Sequence, residues 1–261
     1  MKIKIFQVDA FSSTVFKGNP AAVCPLDEWI SDELMQNIAA ENNLSETAFF
    51  NINESPKLIR WFTPTVEVDL CGHATLASAK VLFDFYLNSS LTEIIFASKS
   101  GPLKAMKQDD LIVLDFPIDM PSAIEIDNLI EEGVGARPIE LYKGRDDYLA
   151  IFEDIACIQN PALDFTKIAE LNARGLIISA KGKDVDFVSR CFYPQTGVNE
   201  DPVTGSAHTL LAPYWASQLK KSKLSAAQLS ARGGNLSCKV ADNRVLLGGN
   251  AAIYSEGSIS V

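Results

Sequence analysis

The chain has 261 residues, of which 47% are hydrophobic and 21% are charged, and its formal net charge is −10. These proportions are typical of a folded globular chain and exclude disordered and collagen-like classes, and the length allows one large domain or two modest ones. The acidic balance argues against nucleic acid and membrane surfaces as partners, and no apolar run approaches the ~20 residues of a transmembrane helix.

In the first half, the patterns of apolar residues predict two strands, a helix, two more strands, a long helix and three further strands. These segments are, in chain order, KIKIFQVDAF, AAVCPL, SDELMQNIAAEN, SETAFFNI, KLIRWFTP, HATLASAKVLFDFYL (73–87), EIIFAS, LKAMK and LIVLDF.

The second half resembles the first in three collinear places. RWFTPTV (60–66) matches RCFYPQT (190–196) at an offset of 130, and Gly72-His73-Ala74 matches Gly205-Ser206-Ala207 at an offset of 133. GPLKAMKQDDLIVL (101–114) matches GNLSCKVADNRVLL (234–247) at the same second offset. Chance similarity among strand–turn segments is the alternative, but three matches in order favour a duplicated domain.

The duplication predicts an α+β architecture of two barrel-like domains, each with one long buried helix. We expect an N-terminal domain of residues 1–118, completed by a C-terminal strand at 252–261, and a C-terminal domain of residues 119–251. The second long helix should open at Ser206 and run through Trp215, and Pro213 within it should bend or split it. A cleft between two such domains is a common place for a ligand site.

The spacing of the cysteines and the pattern of the first residues indicate in which cellular compartment the protein is expected. Five cysteines are spread along the chain without a CxxC pair, and there are two histidines. This pattern predicts reduced thiols and no metal site. The opening MKIKIFQVDAF alternates like a strand and lacks the features of a signal peptide, so we expect a cytoplasmic protein.

Two candidate catalytic residues lie in the first half. Glu46 begins an apolar strand, where a carboxylate between Leu44 and Phe49 is suited to carrying a proton, although it also fits an exposed strand start. His73 follows Gly72 on the first turn of a helix, where backbone N–H groups can approach an anion and the imidazole can relay a proton. A buried, structural histidine is the alternative.

Further candidate site residues are Asp201, Gly205 and Ser206 in the second half and Asn19 in a loop of the first half. Asp201 precedes the second helix start, at Gly205 and Ser206, and Ser206 stands where the first repeat has His73. Asp201 can orient a histidine or accept a substrate N–H, but it also fits an acidic turn that caps a helix. Asn19, in a Gly-Asn-Pro turn, either binds a substrate carboxylate or closes its loop.

These features together favour proton-transfer chemistry on a small acid. Two helix N-termini would attract a small anionic carboxylate, and a glutamate beside a histidine suits moving a proton to and from carbon. The chain has no GxGxxG or GxxxxGK[ST] phosphate loop and no GxSxG elbow, so nucleotide binding and serine hydrolysis are not indicated.

Four motifs in order resemble those of the PhzF family of phenazine-biosynthesis-like isomerases. They are Gly18-Asn19-Pro20, Leu44-Ser45-Glu46-Thr47, Cys71-Gly72-His73-Ala74-Thr75 and Glu200-Asp201-Pro202-Val203-Thr204-Gly205-Ser206-Ala207-His208.

The resemblance covers nearly the whole chain. It implies the diaminopimelate-epimerase-like fold, in which each of two domains wraps a mostly antiparallel sheet around a central helix. It implies an isomerase that needs neither metal nor organic cofactor and that forms homodimers. In the family, the glutamate matching Glu46 carries a proton between carbons, and the positions matching His73, Asp201 and Ser206, with the glycines matching Gly72 and Gly205, line the pocket.

One departure keeps other functions open. Related epimerases and proline racemases carry a cysteine in each half, whereas here Cys71 is matched in the repeat by Thr204, so a two-thiol racemisation is disfavoured. The alternatives are an epimerase, racemase or dehydratase acting on a small amino acid, in which Cys71 would matter, and a non-catalytic binding protein on the same fold.

Overall fold

The computed structural model describes residues 1–261 and divides the chain into two compact units. Unit 1 comprises Met1–Asp115 and Gly248–Val261, and unit 2 comprises Phe116–Leu247. The boundaries expected from the sequence, after residues 118 and 251, fall a few residues beyond those of the structure.

Unit 1 contains nine strands, two α-helices and a π-helical turn. The strands are β1 (Lys2–Ala10), β2 (Asn19–Leu26), β3 (Glu46–Asn51), β4 (Lys57–Phe62), β5 (Glu67–Val68), β6 (Glu93–Ala97), β7 (Leu103–Gln108), β8 (Leu111–Pro117) and, from the end of the chain, β18 (Ala251–Ser260). The helices are α1 (Asp32–Asn42) and α2 (Gly72–Val81), which continues into the π-helical turn Leu82–Tyr86.

Unit 2 contains nine strands and four helices. The strands are β9 (Ser122–Ile124), β10 (Glu140–Lys143), β11 (Asp147–Ile151), β12 (Gly175–Lys181), β13 (Phe187–Tyr193), β14 (Val198–Asp201), β15 (Lys223–Gln228), β16 (Gly234–Ala241) and β17 (Arg244–Gly249). The helices are α3 (Asn128–Val134), α4 (Ala156–Gln159), α5 (Phe165–Ala169) and α6 (Gly205–Leu219), with a short 3₁₀ turn at Pro194–Thr196. Strands β8 and β17 each begin in the unit named here and end two residues beyond its boundary.

The two units repeat the same strand order. In unit 1, β1 pairs antiparallel with β2, β2 parallel with β3, β3 antiparallel with β4, β4 parallel with β6, and β6 antiparallel with β7. In unit 2, β10 pairs antiparallel with β11, β11 parallel with β12, β12 antiparallel with β13, β13 parallel with β15, and β15 antiparallel with β16. This mixed-sheet architecture with helices confirms the predicted α+β class.

A matching ion pair accompanies the repeated strands. Arg60 on β4 makes a two-pronged contact with Glu67, with Nε–Oε1 and Nη2–Oε2 distances of 2.7 and 2.9 Å. Arg190 on β13 makes the same contact with Glu200, at 2.6 and 2.9 Å. The repeated Arg-x-Phe motif therefore fixes the same connection in both units.

The long helix of each unit is its most buried one. Helix α2 packs against β1, β2 and β3, and most of its residues are buried. Small side chains allow this close approach, and the hydroxyls of Thr75 and Ser78 donate to the carbonyls of Cys71 and Ala74, so no polar group of theirs is left unpaired. Helix α6 packs similarly against β11, β15 and β16.

The C-terminal strand lies beside the first strand. Strand β18 pairs antiparallel with β1 from Lys2–Ser260 to Ala10–Ala251, with one bulge between Gln7 and Val8. Unit 1 is therefore assembled from both ends of the chain, and none of the helices in either unit has the length and hydropathy that a membrane crossing requires.

Of the two expected effects of Pro213, a bend or a split of its helix, the split is wrong, because α6 runs unbroken from Gly205 to Leu219. A proline lacks the N–H that would bond the carbonyl four residues earlier, here that of Thr209. The backbone N–H of Asp119 donates to this carbonyl instead, at 3.2 Å. The tertiary contact replaces the missing bond, which is why the helix continues.

Candidate active site

Glu46 is placed by the start of β3 beside β2. Helix α1 ends at Asn42 and is capped by Asn43, whose left-handed conformation (φ 48°) turns the chain toward the strand. Parallel pairing then sets Glu46 opposite Ala21, two residues after Asn19. The Glu46 side chain is 18% exposed, so it is largely withdrawn from water.

His73 lies on the first turn of α2 and faces Glu46. Its Nε2 is 3.1 Å from Glu46 Oε2, and the imidazole is buried. The two atoms are at ion-pair distance but lack hydrogen-bond geometry, since Oε2 is buried without a hydrogen-bond partner. Glu46 therefore retains an oxygen that can accept a proton.

Asn19 orients the histidine ring from the other side. Its amide nitrogen lies 3.2 Å from His73 Nδ1, and Asn19 is fully buried. When this amide donates to Nδ1, the ring proton of a neutral imidazole is left on Nε2, toward Glu46. Gly18 makes the loop possible, because its φ is +67° and a Cβ there would lie 2.2 Å from the carbonyl oxygen of Ala10.

Cys71 brings a thiol to the same cluster. Its Sγ lies 3.5 Å from His73 Nδ1 and 4.0 Å from Nε2. Burial, with a contribution from Glu46, raises the pKa of this thiol to about 11, so it is protonated at neutral pH. Burial alone would lower the pKa of His73, but its neighbours Cys71 and Glu46 outweigh burial and hold that pKa above its ordinary value.

At the start of α6 in unit 2, Ser206 takes the position that His73 has in unit 1, and the guanidinium of Arg174 lies beside it. Arg174 Nη2 donates to Ser206 Oγ at 3.1 Å, and Arg174 Nε donates to Asp147 at 2.9 Å, with a second contact from Nη2. Parallel pairing of β11 with β12 sets Asp147 opposite Gly175, which places the two charged groups together. Burial raises the pKa of Asp147 above its ordinary value, and Arg174 opposes that rise.

Asp201 belongs to the turn that leads into α6. Its carboxylate accepts a hydrogen bond from Thr204 Oγ1. The buried side chain of Gln228 fixes this turn through two hydrogen bonds. Its Nε2 donates to the Asp201 carbonyl at 2.7 Å, and its Oε1 accepts from the Thr204 N–H at 2.9 Å. The backbone entering the helix is therefore held from a neighbouring strand.

The structure thus groups the predicted residues by unit. It brings Glu46, His73 and Asn19 together around Cys71, with Gly72 as the first residue of α2. It places Asp201, Gly205 and Ser206 at the start of α6 in unit 2. No sequence motif indicates Arg174, Asp147 and Gln228, because these residues meet their partners only through the pairing of distant strands.

The second histidine, His208, is a structural residue with a large effect on acid stability. It is fully buried, its Nδ1 lies 2.8 Å from the Thr204 carbonyl oxygen, and its Nε2 has no hydrogen-bond partner. Burial lowers its pKa from 6.5 to about 4, against the opposing effect of the Thr204 carbonyl. Between these values the unfolded chain binds a proton that the folded chain does not, so stability is lost as the pH falls through this window.

We expect His208→Asn to reduce this acid sensitivity, since the asparagine amide can still donate to Thr204. One shifted histidine contributes ~1.4 kcal/mol per pH unit, or about 2 kcal/mol between pH 6.5 and pH 5. Urea unfolding at pH 7 and pH 5 measures the difference. Equal losses of unfolding free energy in the wild type and the variant would contradict this role of His208.

Comparisons with known proteins agree with this architecture. The family model of PhzC-PhzF, phenazine biosynthesis-like protein, matches residues 8–257. An uncharacterized isomerase of Pseudomonas aeruginosa is 49% identical over 259 residues, covering 99% of each chain. The crystal structure of a PhzF-family protein from Enterococcus faecalis is 45% identical and covers both chains fully, with a TM-score of 0.97.

A more distant structure places the fold in a wider group. A hydroxyproline epimerase from Agrobacterium vitis is 10% identical, with a TM-score of 0.66 over 99% of this chain and 92% of that one. At this identity the likeness concerns the fold alone, which is the epimerase-like fold implied by the four motifs. The match over residues 8–257 and the close relatives show that the chain belongs to the PhzC-PhzF family of phenazine biosynthesis-like, isomerase-like proteins.

Proposed function

We propose that this protein is a cofactor-independent isomerase that moves a proton between carbons of a small carboxylic acid, with Glu46 as general acid and base. The observation that carries the proposal is the buried Glu46 Oε2, which lacks a hydrogen-bond partner and lies 3.1 Å from His73 Nε2. Relatives named as isomerases support the reaction class.

The proposed reaction needs only an acid–base group and stabilisation of negative charge. Glu46 takes a proton from an acidic C–H, and the electron pair of that bond moves into the conjugated acid. Glu46 then returns the proton to a different carbon, so the substrate and product have the same composition and no electrons are exchanged. His73 keeps the carboxylate oriented.

The start of α2 supplies the charge stabilisation. The first N–H groups of a helix have no carbonyl partner within it, and they carry a partial positive charge. Cys71, the residue before α2, makes no capping hydrogen bond with its side chain. It therefore does not occupy the N–H groups of Gly72 and His73 in the first turn. Such donors can hold a carboxylate or the enolate-like intermediate, and they favour an anionic substrate.

A second candidate is an epimerase on a small amino acid, favoured by the thiol of Cys71 at 3.5 Å from His73 Nδ1. An epimerase returns the proton to the same carbon from the opposite face. Cys71→Ser would then remove turnover, whereas the proposed isomerase retains it.

Proton NMR of a panel of small cyclic, unsaturated and amino carboxylic acids tests the function. The proposal predicts that the purified protein converts at least one acid into an isomer of equal mass with a relocated double bond. An enantiomer as the product would establish the epimerase instead, and a product lighter by one water would establish a dehydratase. Binding of panel acids without conversion would contradict any catalytic function on these compounds.

A further inference from the structure

Glu46, Cys71 and His73 form a cluster whose chemistry goes beyond acid–base catalysis. Each offers one ligand atom, a carboxylate oxygen, a sulfur and an imidazole nitrogen, and these atoms all lie within 4.8 Å of one another. They come from two elements, the start of β3 and the start of α2, so only the fold brings them together.

The separations suit a small tetrahedral ion. Zinc binds sulfur at ~2.3 Å, imidazole nitrogen at ~2.0 Å and carboxylate oxygen at ~2.1 Å, which places neighbouring ligand atoms ~3.3–3.6 Å apart. The Nε2–Oε2 distance is 3.1 Å and the Nε2–Sγ distance is 4.0 Å, on either side of this range. The largest separation within the set is bounded at 4.8 Å, so rotation of the Cys71 and Glu46 side chains has to shorten it by about 1 Å to complete the tetrahedron.

The surroundings also suit a metal ligand set. A histidine that binds a metal through Nε2 carries its ring proton on Nδ1 and donates it to an acceptor. The Asn19 amide group lies at Nδ1, with its nitrogen 3.2 Å away, so metal binding requires this amide to turn over and present its oxygen. Glu46 Oε2 has no hydrogen bond to give up. The mixture of sulfur, nitrogen and oxygen favours zinc or cobalt over magnesium or calcium, which prefer oxygen alone.

We propose that Glu46, Cys71 and His73 bind one thiophilic divalent cation, of which Zn²⁺ is the representative, and that the bound ion reversibly blocks the site. Binding releases the thiol proton of Cys71 to solvent, moves the proton of His73 Nε2 to Nδ1 or to solvent, and leaves a fourth coordination position for water. The blocking effect rests on the proposed function, because it follows from the ion occupying Glu46, the group assigned to proton transfer, and His73, which orients it. The binding itself does not depend on that function.

Metal binding can be measured without any substrate. We expect calorimetry to show one Zn²⁺ per chain, and Co²⁺ to give a thiolate-to-cobalt charge-transfer band in the ultraviolet with the visible bands of a tetrahedral site. Cys71→Ser should remove the ultraviolet band and weaken Zn²⁺ binding at least tenfold. The matched control is Cys157→Ser, since Cys157 is the partly exposed cysteine and belongs to unit 2.

The outcomes separate the two proposals. A Co²⁺ spectrum without the charge-transfer band, or one unchanged in Cys71→Ser, would overturn the metal site. Loss of the band in Cys157→Ser would overturn it as well. If Cys71→Ser is unstable by circular dichroism, Glu46→Gln replaces it, and unchanged Zn²⁺ affinity in that variant counts against the site. If Zn²⁺ binds but does not slow the turnover of an established substrate, only the blocking effect is overturned. If Zn²⁺ binds but the protein converts none of the acids, the metal site is supported and the proposed function fails.

Discussion

Glu46→Gln is expected to reduce turnover by a factor of about 10² to 10⁴, the range that a positioned general acid–base group contributes. Glutamine has nearly the same shape, and its remaining carbonyl oxygen can stay beside His73, so binding should be little affected. The amide cannot take a proton from carbon, however. The loss should therefore appear in kcat, with KM changed much less.

A neighbouring glutamate provides the control for this experiment. Glu41 is exposed on α1, five residues before Glu46 in the chain, and no part of the cluster includes it. Glu41→Gln should retain wild-type kcat, and both variants should unfold at the same urea concentration as the wild type. A Glu46→Gln enzyme that keeps more than a tenth of the wild-type kcat would show that another group moves the proton.

Arg174→Met is expected to lower the free energy of unfolding by about 3 kcal/mol. Removing one member of a buried ion pair costs about 3–5 kcal/mol because the other charge is left without a partner, and partial exposure reduces this figure. Asp147 is 5% exposed in its side chain while Arg174 is 38% exposed, so the unpaired group would be the buried carboxylate. Methionine fills much of the volume of the arginine, which isolates the effect of charge.

The double variant Arg174→Met with Asp147→Leu tests the cause. Replacing both charges by apolar groups removes the uncompensated carboxylate, so the double variant should recover most of the lost stability. Urea unfolding at pH 7 gives the three free energies. A double variant less stable than Arg174→Met alone would show that the pair stabilises the unit by more than mutual charge compensation.

The repeat and the helix starts could be predicted because their causes are local in the sequence. Glycines before a helix and the Arg-x-Phe motif recur at fixed offsets, and the structure shows them in equivalent strands and helices of the two units. The resemblance to the family implies one pocket lined by Glu46 and His73, and the structure sets their side chains 3.1 Å apart.

The remaining features depend on contacts between distant parts of the chain. Helix α6 continues through Pro213 because the Asp119 N–H replaces the missing donor, and nothing near the proline indicates this. The Asp147–Arg174 pair arises from strand pairing, and the tie from Gln228 to Thr204 spans 24 residues. Cys71 shares a motif with His73, but only the fold shows that its sulfur lies 3.5 Å from His73 Nδ1 and close to Glu46.

Incubation in D₂O tests whether Glu46 carries a proton to and from carbon. Each acid that the protein converts would be incubated with the wild type, Glu41→Gln and Glu46→Gln, and deuterium would be followed by proton NMR at each carbon. We expect deuterium at the carbon that receives the proton for the wild type and Glu41→Gln, and none above the buffer rate for Glu46→Gln. Equal incorporation by Glu46→Gln and the wild type would contradict it.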